Sequence, residues 1–307
     1  MKTRWRNHTL RMLLRTGIGA ATLAALTGCS RGRADSVTVG SKDFTEQFIV
    51  AELMAQTIEA RTGLEVRRRT NLGGTMICHN ALRQGGIDLY AEYTGTALKN
   101  ILGLDAETGD AADILQAVRD AYRRDFDLVW LTPFGFNNTY TITVRRDFAE
   151  EHKLAAISDL APIAHTLSAG FTAEFAVRED GYPDLKKAYG FEFGSARDMD
   201  PSLMYRAVAG KQTDVICAFA TDGRIAAYDL VVLEDDRAFF PPYDAAPVVR
   251  ADILQRHPPL AEALHMLGGL IDDATMRRLN REVDEKNREP AAVAREFLLS
   301  QGIITKE

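Results

Sequence analysis

Apolar positions along the chain recur at two spacings, one typical of strands and the other of helices. Residues 36–39 are strand-like, and Phe48, Ala51, Ala55 and Ile58 then follow at helical spacing. The same order continues with strand-like runs at 65–70, 87–90 and 127–131 and helix-like runs at 75–83 and 110–124. Repeated strand–helix units predict a mainly parallel sheet covered by helices.

A second α/β unit begins after Pro133. Its predicted elements are strands at 139–144, 170–176 and 214–219 and helices at 183–189 and 201–209. From Pro247 the chain has one short apolar strand and then helical runs at 260–267, 275–286 and 290–300, which must pack on an earlier domain. The sequence therefore predicts an α/β fold of two lobes, each a mainly parallel sheet flanked by helices, with a cleft between them. Residues 36–136 plus 244–307 form the first predicted lobe, and residues 137–243 form the second.

The N-terminal residues have the pattern of an export signal. Five basic residues precede a short apolar stretch near 18–26, and small residues lead from it into Cys29. The stretch is too short to span a bilayer, so we predict a lipoprotein signal peptide at 1–28, lipidation at Cys29 and a tether at 29–35. The protein would then be extracytoplasmic and anchored to a membrane, in the periplasm or at the outer face of the cell membrane. The alternative is an ordinary secretory peptide with an incidental cysteine.

The charge balance excludes one class of partner. The formal net charge is −6, and removal of residues 1–28 takes away five positive charges and no negative one, which lowers the charge to −11. A domain this acidic is a poor candidate for binding nucleic acid. Cys78 and Cys217 remain in a compartment that permits disulfides, and the sequence leaves a bridge and a pair of buried thiols equally open.

Several chemically useful side chains closely follow predicted strands, which is where open α/β sheets bind ligands. Lys42 follows the first strand, and residues 43–47 open a helix whose N-terminal amides favour an anion beside the lysine. We therefore interpret Lys42 as a candidate ligand for a carboxylate, with a solvated lysine as the alternative. Gly95 permits a tight turn that would direct the ring of Tyr93 and the hydroxyl of Thr96 into one cleft.

Aromatic residues occur in four such loops, at Tyr93, Tyr140, Phe219 and Tyr243. Each ring taken alone is more often part of a core. Rings that converge attract a quaternary ammonium through their negative faces, and a methylated cation has no proton for a stronger bond. The joint pattern therefore favours a receptor for a small zwitterion over a catalyst.

Six short blocks carry a resemblance to a known family: GSKDFTEQ at Gly40, NLGGT at Asn71, EYTGT at Glu92, FNNTY at Phe136, ATDG at Ala220 and FFPPYDAAPVV at Phe239. Each block is a weak signal alone. Together, in this order and over nearly all of 36–301, they resemble the substrate-binding proteins of osmoprotectant ABC importers, which bind glycine betaine, choline and related compounds. The resemblance implies a type II periplasmic-binding-protein fold whose lobes close over the ligand.

The resemblance also implies roles for nine residues by motif position. It implies a trimethylammonium cage of Tyr93, Tyr140, Phe219 and Tyr243, a carboxylate site of Lys42, Thr96 and Arg178, a polar position beside the cage at Asn138, and a further polar position at Gln47. Arg178 has the chemistry to clamp a carboxylate through two parallel N–H bonds, although a surface salt bridge with Glu179 or Asp180 is the alternative. The family usually has tyrosine where Phe219 stands, so our hypothesis is a weaker or differently selective cage.

The predicted function is that of a lipid-anchored receptor, a monomer without cofactor or metal. It would capture a quaternary ammonium osmolyte (glycine betaine, proline betaine, carnitine or choline) and deliver it to ABC permease subunits that work with a separate ATPase. Two alternatives keep the fold: a ligand sensor for a membrane receptor, and an importer receptor for a different small zwitterion. Catalysis is disfavoured, because Cys78 and His79 are adjacent on a predicted helix and do not face each other.

Overall fold

The computed structural model describes residues 36–104, 110–178 and 181–305. The predicted signal peptide at 1–28, the lipidation site Cys29 and the tether at 29–35 lie outside the described residues. None of the helices in the described ranges has the length and apolar character that a membrane span requires.

Ten strands in the described part of the chain form two five-stranded sheets, with strand orders β2-β1-β3-β10-β4 and β7-β6-β8-β5-β9. The strands are β1 Ser36–Gly40, β2 Glu65–Arg69, β3 Leu89–Tyr93, β4 Leu128–Trp130, β5 Tyr140–Arg145, β6 Ser168–Phe171, β7 Ser195–Asp198, β8 Val215–Phe219, β9 Leu230–Val232 and β10 Ala245–Arg250.

Helices flank both sheets. Within the described ranges they are α1 Thr45–Thr62, α2 Thr75–Arg83, α3 Thr94–Thr96, α4 Ala111–Phe126, α5 Arg146–His152, α6 Ala173–Val177, α7 Tyr182–Tyr189, α8 Pro201–Ala209, α9 Arg224–Ala227, α10 Ala251–Arg256, α11 Pro259–His265, α12 Asp273–Asp284 and α13 Pro290–Ser300. The prediction of a two-lobed α/β fold is confirmed, since each sheet carries its own helices.

Four of the five strands in each sheet run in one direction and the fifth is reversed, so the prediction of mainly parallel sheets is confirmed. In the first sheet β1 runs parallel to β2 and β3, whereas β10 runs antiparallel to β3 and β4. In the second sheet β6 runs parallel to β7 and β8, whereas β5 runs antiparallel to β8 and β9. The reversed strands β5 and β10 are the first that each sheet receives after the chain has crossed from the other. Strand–helix repeats within one lobe do not reveal the direction of such a strand.

The two crossings between the sheets lie side by side. The chain leaves the first sheet after β4 and returns with β10, and an isolated antiparallel bridge joins Asn137 to Asp244. The predicted lobe boundaries at 136/137 and 243/244 fall in these crossings, and we retain them as a proposal. The C-terminal helices α11, α12 and α13 all contact α1, so the helical tail packs against the first element of the chain.

One segment of the second sheet differs from the sequence prediction and bears on the site. Residues 170–176 were predicted as strand, but β6 ends at Phe171 and the hydroxyl of Thr172 accepts a hydrogen bond from the amide of Phe175. That N-cap bond stabilises the first turn of α6, because it satisfies an amide that has no partner within the helix. The short helix carries Glu174 and brings Arg178, its C-cap residue, to the cleft.

Cys78 and Cys217, the cysteines within the described ranges, are free and buried, which decides between the alternatives left open by the sequence. Cys78 lies in α2 among apolar residues of the first sheet, whereas Cys217 lies in β8 of the second. His79 packs edge-on against Phe126, with ring centroids 4.8 Å apart, and burial lowers its pKa to about 4. Cys78 and His79 are therefore parts of a core.

Candidate functional site

A cavity of about 610 Å³ lies in the cleft between the two sheets, with walls from both. Eight of the nine predicted site residues line it: Lys42, Tyr93, Thr96, Asn138, Tyr140, Arg178, Phe219 and Tyr243. The ninth, Gln47, lies behind the wall. Tyr93 and Phe219 end β3 and β8, as expected for a site at the carboxyl ends of strands, whereas Tyr140 begins the reversed strand β5 and Tyr243 precedes the reversed strand β10.

Five aromatic rings form a continuous series along this cavity, which we call the ring chain: Tyr93, Phe44, Phe219, Tyr140 and Tyr243. Phe44 lies with its centroid 6.3 Å from that of Tyr93 and stacks on Phe219 at 5.8 Å, with 4° between the planes. Tyr140 follows at 5.4 Å from Phe219 and 5.5 Å from Tyr243, whose ring stands nearly perpendicular at 84°. The rings thus present several π faces to one cavity from both lobes.

A close approach at Gly95 explains why the turn after β3 contains glycine. A Cβ atom at this position would lie 2.8 Å from the carbonyl oxygen of Pro242 and 2.9 Å from Cε1 of Tyr243. The neighbouring hydroxyl of Thr94 donates to the same Pro242 oxygen at 3.0 Å and accepts from the amide of Asp244 at 3.0 Å. The turn therefore holds the loop of Tyr243 against the end of β3, and any side chain larger than hydrogen would displace it.

Lys42 is buried at the cavity wall with two partners of its own. Its ammonium nitrogen lies 2.6 Å from Oε1 of Glu92 and donates to the hydroxyl of Thr75 at 2.9 Å. Only 4% of Lys42 is exposed, so the alternative of a solvated lysine does not hold. The expected ligand for a carboxylate thus faces the cavity with an internal carboxylate already beside it.

Arg178 occupies the opposite wall and is also buried. Its Nη1 lies 3.6 Å from Oε1 of Glu174, and its guanidinium carbon is 5.8 Å from the ring centroid of Tyr140. Glu179 and Asp180, the alternative partners, lie outside the described residues. Glu174 also accepts a hydrogen bond at 3.4 Å from Nδ2 of Asn100, a residue of the first lobe. This hydrogen bond thereby connects the cavity wall that carries Arg178, which we call the arginine wall, to the first lobe across the cleft.

Gln47 supports the site from behind. Its Nε2 donates to the hydroxyl of Tyr93 and to the carbonyl of Ala91, both at 3.1 Å, while its Oε1 accepts from the amide of Lys42 at 3.3 Å. The side chain is only 1% exposed. Gln47 therefore orients two cavity residues.

Glu46 is a buried carboxylate that joins its own helix, α1, to four other segments. It accepts hydrogen bonds from Tyr93 Oη at 2.7 Å, Asn138 Nδ2 at 2.8 Å and Asn280 Nδ2 at 3.2 Å, and from the hydroxyl of Thr221. Burial raises the pKa of Glu46, although these four hydrogen bonds act in the opposite direction. The residue thus links α1 and β3 of the first lobe to the first crossing, to the loop after β8 and to α12.

Three residues that were not among the predicted site residues contribute to this site: Phe44, Glu46 and Glu92. All three lie inside motif blocks that supplied other candidates, GSKDFTEQ for the first two and EYTGT for the third. Their location in these blocks, close to strand ends, is the sequence signal that could have identified them.

In the parts of the chain that the structure describes, no group of three or more histidine, cysteine, aspartate or glutamate residues is arranged to hold a metal ion.

Residues 35–300 match the family described as the substrate-binding domain of ABC-type glycine betaine transport systems, OpuAC. The chain is 38% identical over 283 residues to the carnitine transport binding protein OpuCC of Listeria monocytogenes, covering 92% of this chain and 91% of that protein. It is 36% identical over 292 residues to a glycine-betaine-binding protein of Pseudomonas aeruginosa, with 92% and 93% covered. A crystal structure described as a glycine betaine/carnitine/choline ABC transporter superposes with a TM-score of 0.74 at 37% identity, covering 87% of this chain and 99% of that one.

Proposed function

Because the chain belongs to the family of substrate-binding domains of ABC-type glycine betaine transport systems, we propose that it captures a quaternary ammonium osmolyte outside the cytoplasm and delivers it to an importer permease. The relatives from Listeria and Pseudomonas are binding proteins and not enzymes. The proposed partners are permease subunits that work with a separate ATPase. We further propose that the protein is a monomer with a lipid anchor at Cys29.

The observation that carries this proposal is the ring chain together with Arg178 in one cavity. A trimethylammonium group cannot donate hydrogen bonds, so its recognition depends on π faces, each contributing about 0.5 to 2 kcal/mol when desolvated. We assign this role to Tyr93, Tyr140, Phe219 and Tyr243, with Phe44 as a fifth ring. Arg178, Lys42 and Thr96 would supply donors for a carboxylate, and Asn138 the polar position beside the rings.

Capture requires no chemical step. Ligand entering the cleft would contact rings from both lobes and so stabilise the closed arrangement over the open one. The contact from Glu174 to Asn100 supports such a closure, because it connects the arginine wall to the first lobe at the mouth of the cleft. The closed form would then dock on the permease.

The direct test is calorimetric titration of the chain beginning at Ser30 with glycine betaine, carnitine, choline and glycine. We expect heat with at least one methylated ammonium compound and none with glycine, which has the same carboxylate as glycine betaine but no methyl groups. Absence of heat with every methylated compound up to millimolar concentration would refute the proposed ligand class while leaving the fold untouched.

A tyrosine at position 219 should strengthen binding if the missing hydroxyl weakens the site. Phe219 stacks on Phe44 and contacts the tilted ring of Tyr140, so a Phe219→Tyr change keeps these ring contacts and adds one hydrogen-bonding group. We expect a lower dissociation constant for at least one candidate ligand, by about threefold to tenfold, the worth of a typical hydrogen bond. Calorimetry on both proteins measures this, and unchanged or weaker binding of every ligand would contradict the hypothesis.

A further inference from the structure

Glu92 lies directly behind Lys42 and takes no part in the cavity wall. It is the last residue but one of β3, its side chain is 0% exposed, and it is absent from the residues that line the cavity. Its Oε1 accepts from Nζ of Lys42 at 2.6 Å and from the amide of Tyr93 at 2.8 Å. Its Oε2 accepts from the hydroxyl of Tyr90 at 2.9 Å. Both carboxylate oxygens therefore have partners, and the group is fixed.

This arrangement changes what Lys42 offers a ligand. A buried charge requires a partner, and the ammonium of Lys42 already has one inside the protein. An ammonium has three donors, of which Glu92 and Thr75 take two. A ligand carboxylate that approached Lys42 would gain a hydrogen bond, but it would meet an ion pair rather than a full positive charge.

The cavity lining as a whole carries more acidic than basic side chains. Among the described residues that line it, the cationic side chains are Lys42 and Arg178, and the carboxylates are Asp43, Glu174, Asp198 and Asp200. Arg178 lies near Glu174, as Lys42 lies near Glu92. Such a surface attracts a ligand of net positive charge at least as well as a zwitterion.

We propose that Glu92 is a specificity-determining residue: by neutralising Lys42 from behind the cavity wall, it allows the site to accept cationic quaternary ammonium compounds without a carboxylate as well as zwitterionic betaines. The inference rests on the proposed function, because it concerns the ligand class of the same cavity. Choline and glycine betaine are the matched probes, since both carry a trimethylammonium group and only glycine betaine has a carboxylate.

The test compares the wild-type chain with a Glu92→Gln variant by calorimetric titration with both probes. Glutamine preserves the shape of the side chain and leaves the charge of Lys42 uncompensated beside the ligand. The ratio of the choline to the glycine betaine dissociation constant should rise at least about tenfold in the variant. Glu59→Gln is the control, because Glu59 forms an ion pair with Arg68 at the surface, and it should leave the ratio unchanged.

An unchanged ratio in a folded Glu92→Gln protein would overturn the inference. If that variant does not fold, the double variant Lys42→Met/Glu92→Gln removes both charges and leaves no buried lone ion. Its ratio should stay within about threefold of the wild-type ratio, because the charges it removes already cancel. A selective loss of glycine betaine by tenfold or more would show that Lys42 acts as a full charge, which also overturns the inference. Failure of the wild-type chain to bind either probe would overturn this inference, whereas the proposed function would be refuted only if carnitine also gave no heat.

Discussion

Replacing Tyr140 with leucine should weaken the binding of glycine betaine or choline by about 30-fold, which corresponds to the ~2 kcal/mol of one desolvated cation–π contact. Tyr140 is the ring that joins Phe219 to Tyr243, at centroid distances of 5.4 and 5.5 Å. Leucine retains an apolar side chain but has no negative ring face. The loss should therefore fall on the cation and not on the cleft as a whole. Calorimetric dissociation constants measure the effect.

Two control variants separate a lost π face from a damaged core. Tyr140→Phe keeps the ring and should bind within about threefold of wild type. Phe171→Leu removes a fully buried ring of the same lobe that packs on Phe175 but does not line the cavity, so it should lower stability without weakening binding. Thermal unfolding reports stability for each protein. Wild-type affinity in a folded Tyr140→Leu protein would contradict the assignment of Tyr140 to the cation.

Helices with strong local signals could be predicted from the sequence almost to the residue. The predictions for 75–83, 201–209 and 290–300 match α2, α8 and α13. Pro201 and Pro290 stand at the first helical position of α8 and α13, where proline costs nothing, and Asp200 caps α8 through the amide of Ser202. These signals act within one turn and need no tertiary contact.

Strands without an apolar pattern could not be predicted in the same way. β7 has the sequence Ser-Ala-Arg-Asp, and all four of its residues are exposed at the edge of the second sheet. Its place depends on pairing with β6, which lies some 25 residues earlier, and not on burial. Similarly, α6 begins directly after β6, where the N-cap bond from the amide of Phe175 to the hydroxyl of Thr172 stabilises a first helical turn that the strand-like run 170–176 did not predict.

The residues of the site could be predicted better than their partners. Six of the eight predicted side chains that line the cavity lie in motif blocks beside strand ends, which meet at one edge of a sheet. Phe219 immediately precedes a block, and Arg178 lies outside the blocks. The hydrogen bonds behind that wall connect positions far apart in sequence: Lys42 to Glu92 over 50 residues, and Glu46 to Thr221 over 175. No local spacing in the sequence indicates such a pair. The pairing of the charges in the cavity wall could therefore be determined only from the folded chain.

Replacing Glu46 with alanine should lower the free energy of unfolding by about 3 kcal/mol or more. The change leaves buried donors of Tyr93, Asn138, Thr221 and Asn280 without their common acceptor, and each unsatisfied group costs about 1–3 kcal/mol before the structure relaxes. Urea unfolding measures the loss. The matched control Glu59→Ala removes a carboxylate from the same helix at a surface ion pair, and should cost at most about 1 kcal/mol. Equal losses in the two variants would contradict the role of Glu46.

The pH dependence of stability should separate the charge of Glu46 from its hydrogen bonds. Because burial raises its pKa in the folded protein above 4.5, the folded state binds the proton more tightly than the unfolded state does. Its contribution to stability is therefore complete below about pH 4.5 and declines as the pH rises through the raised pKa. Glutamine cannot ionise, so the stability of Glu46→Gln relative to wild type should improve steadily from pH 4.5 towards neutrality.

The small space around Glu46 is also lined by Asp222, Arg224 and Asp284. These groups are common to both proteins, so their own titration cancels in the difference between the two stabilities. A stability of Glu46→Gln relative to wild type that stays constant over this range, or that falls as the pH rises, would show that Glu46 is not the group whose burial opposes ionisation.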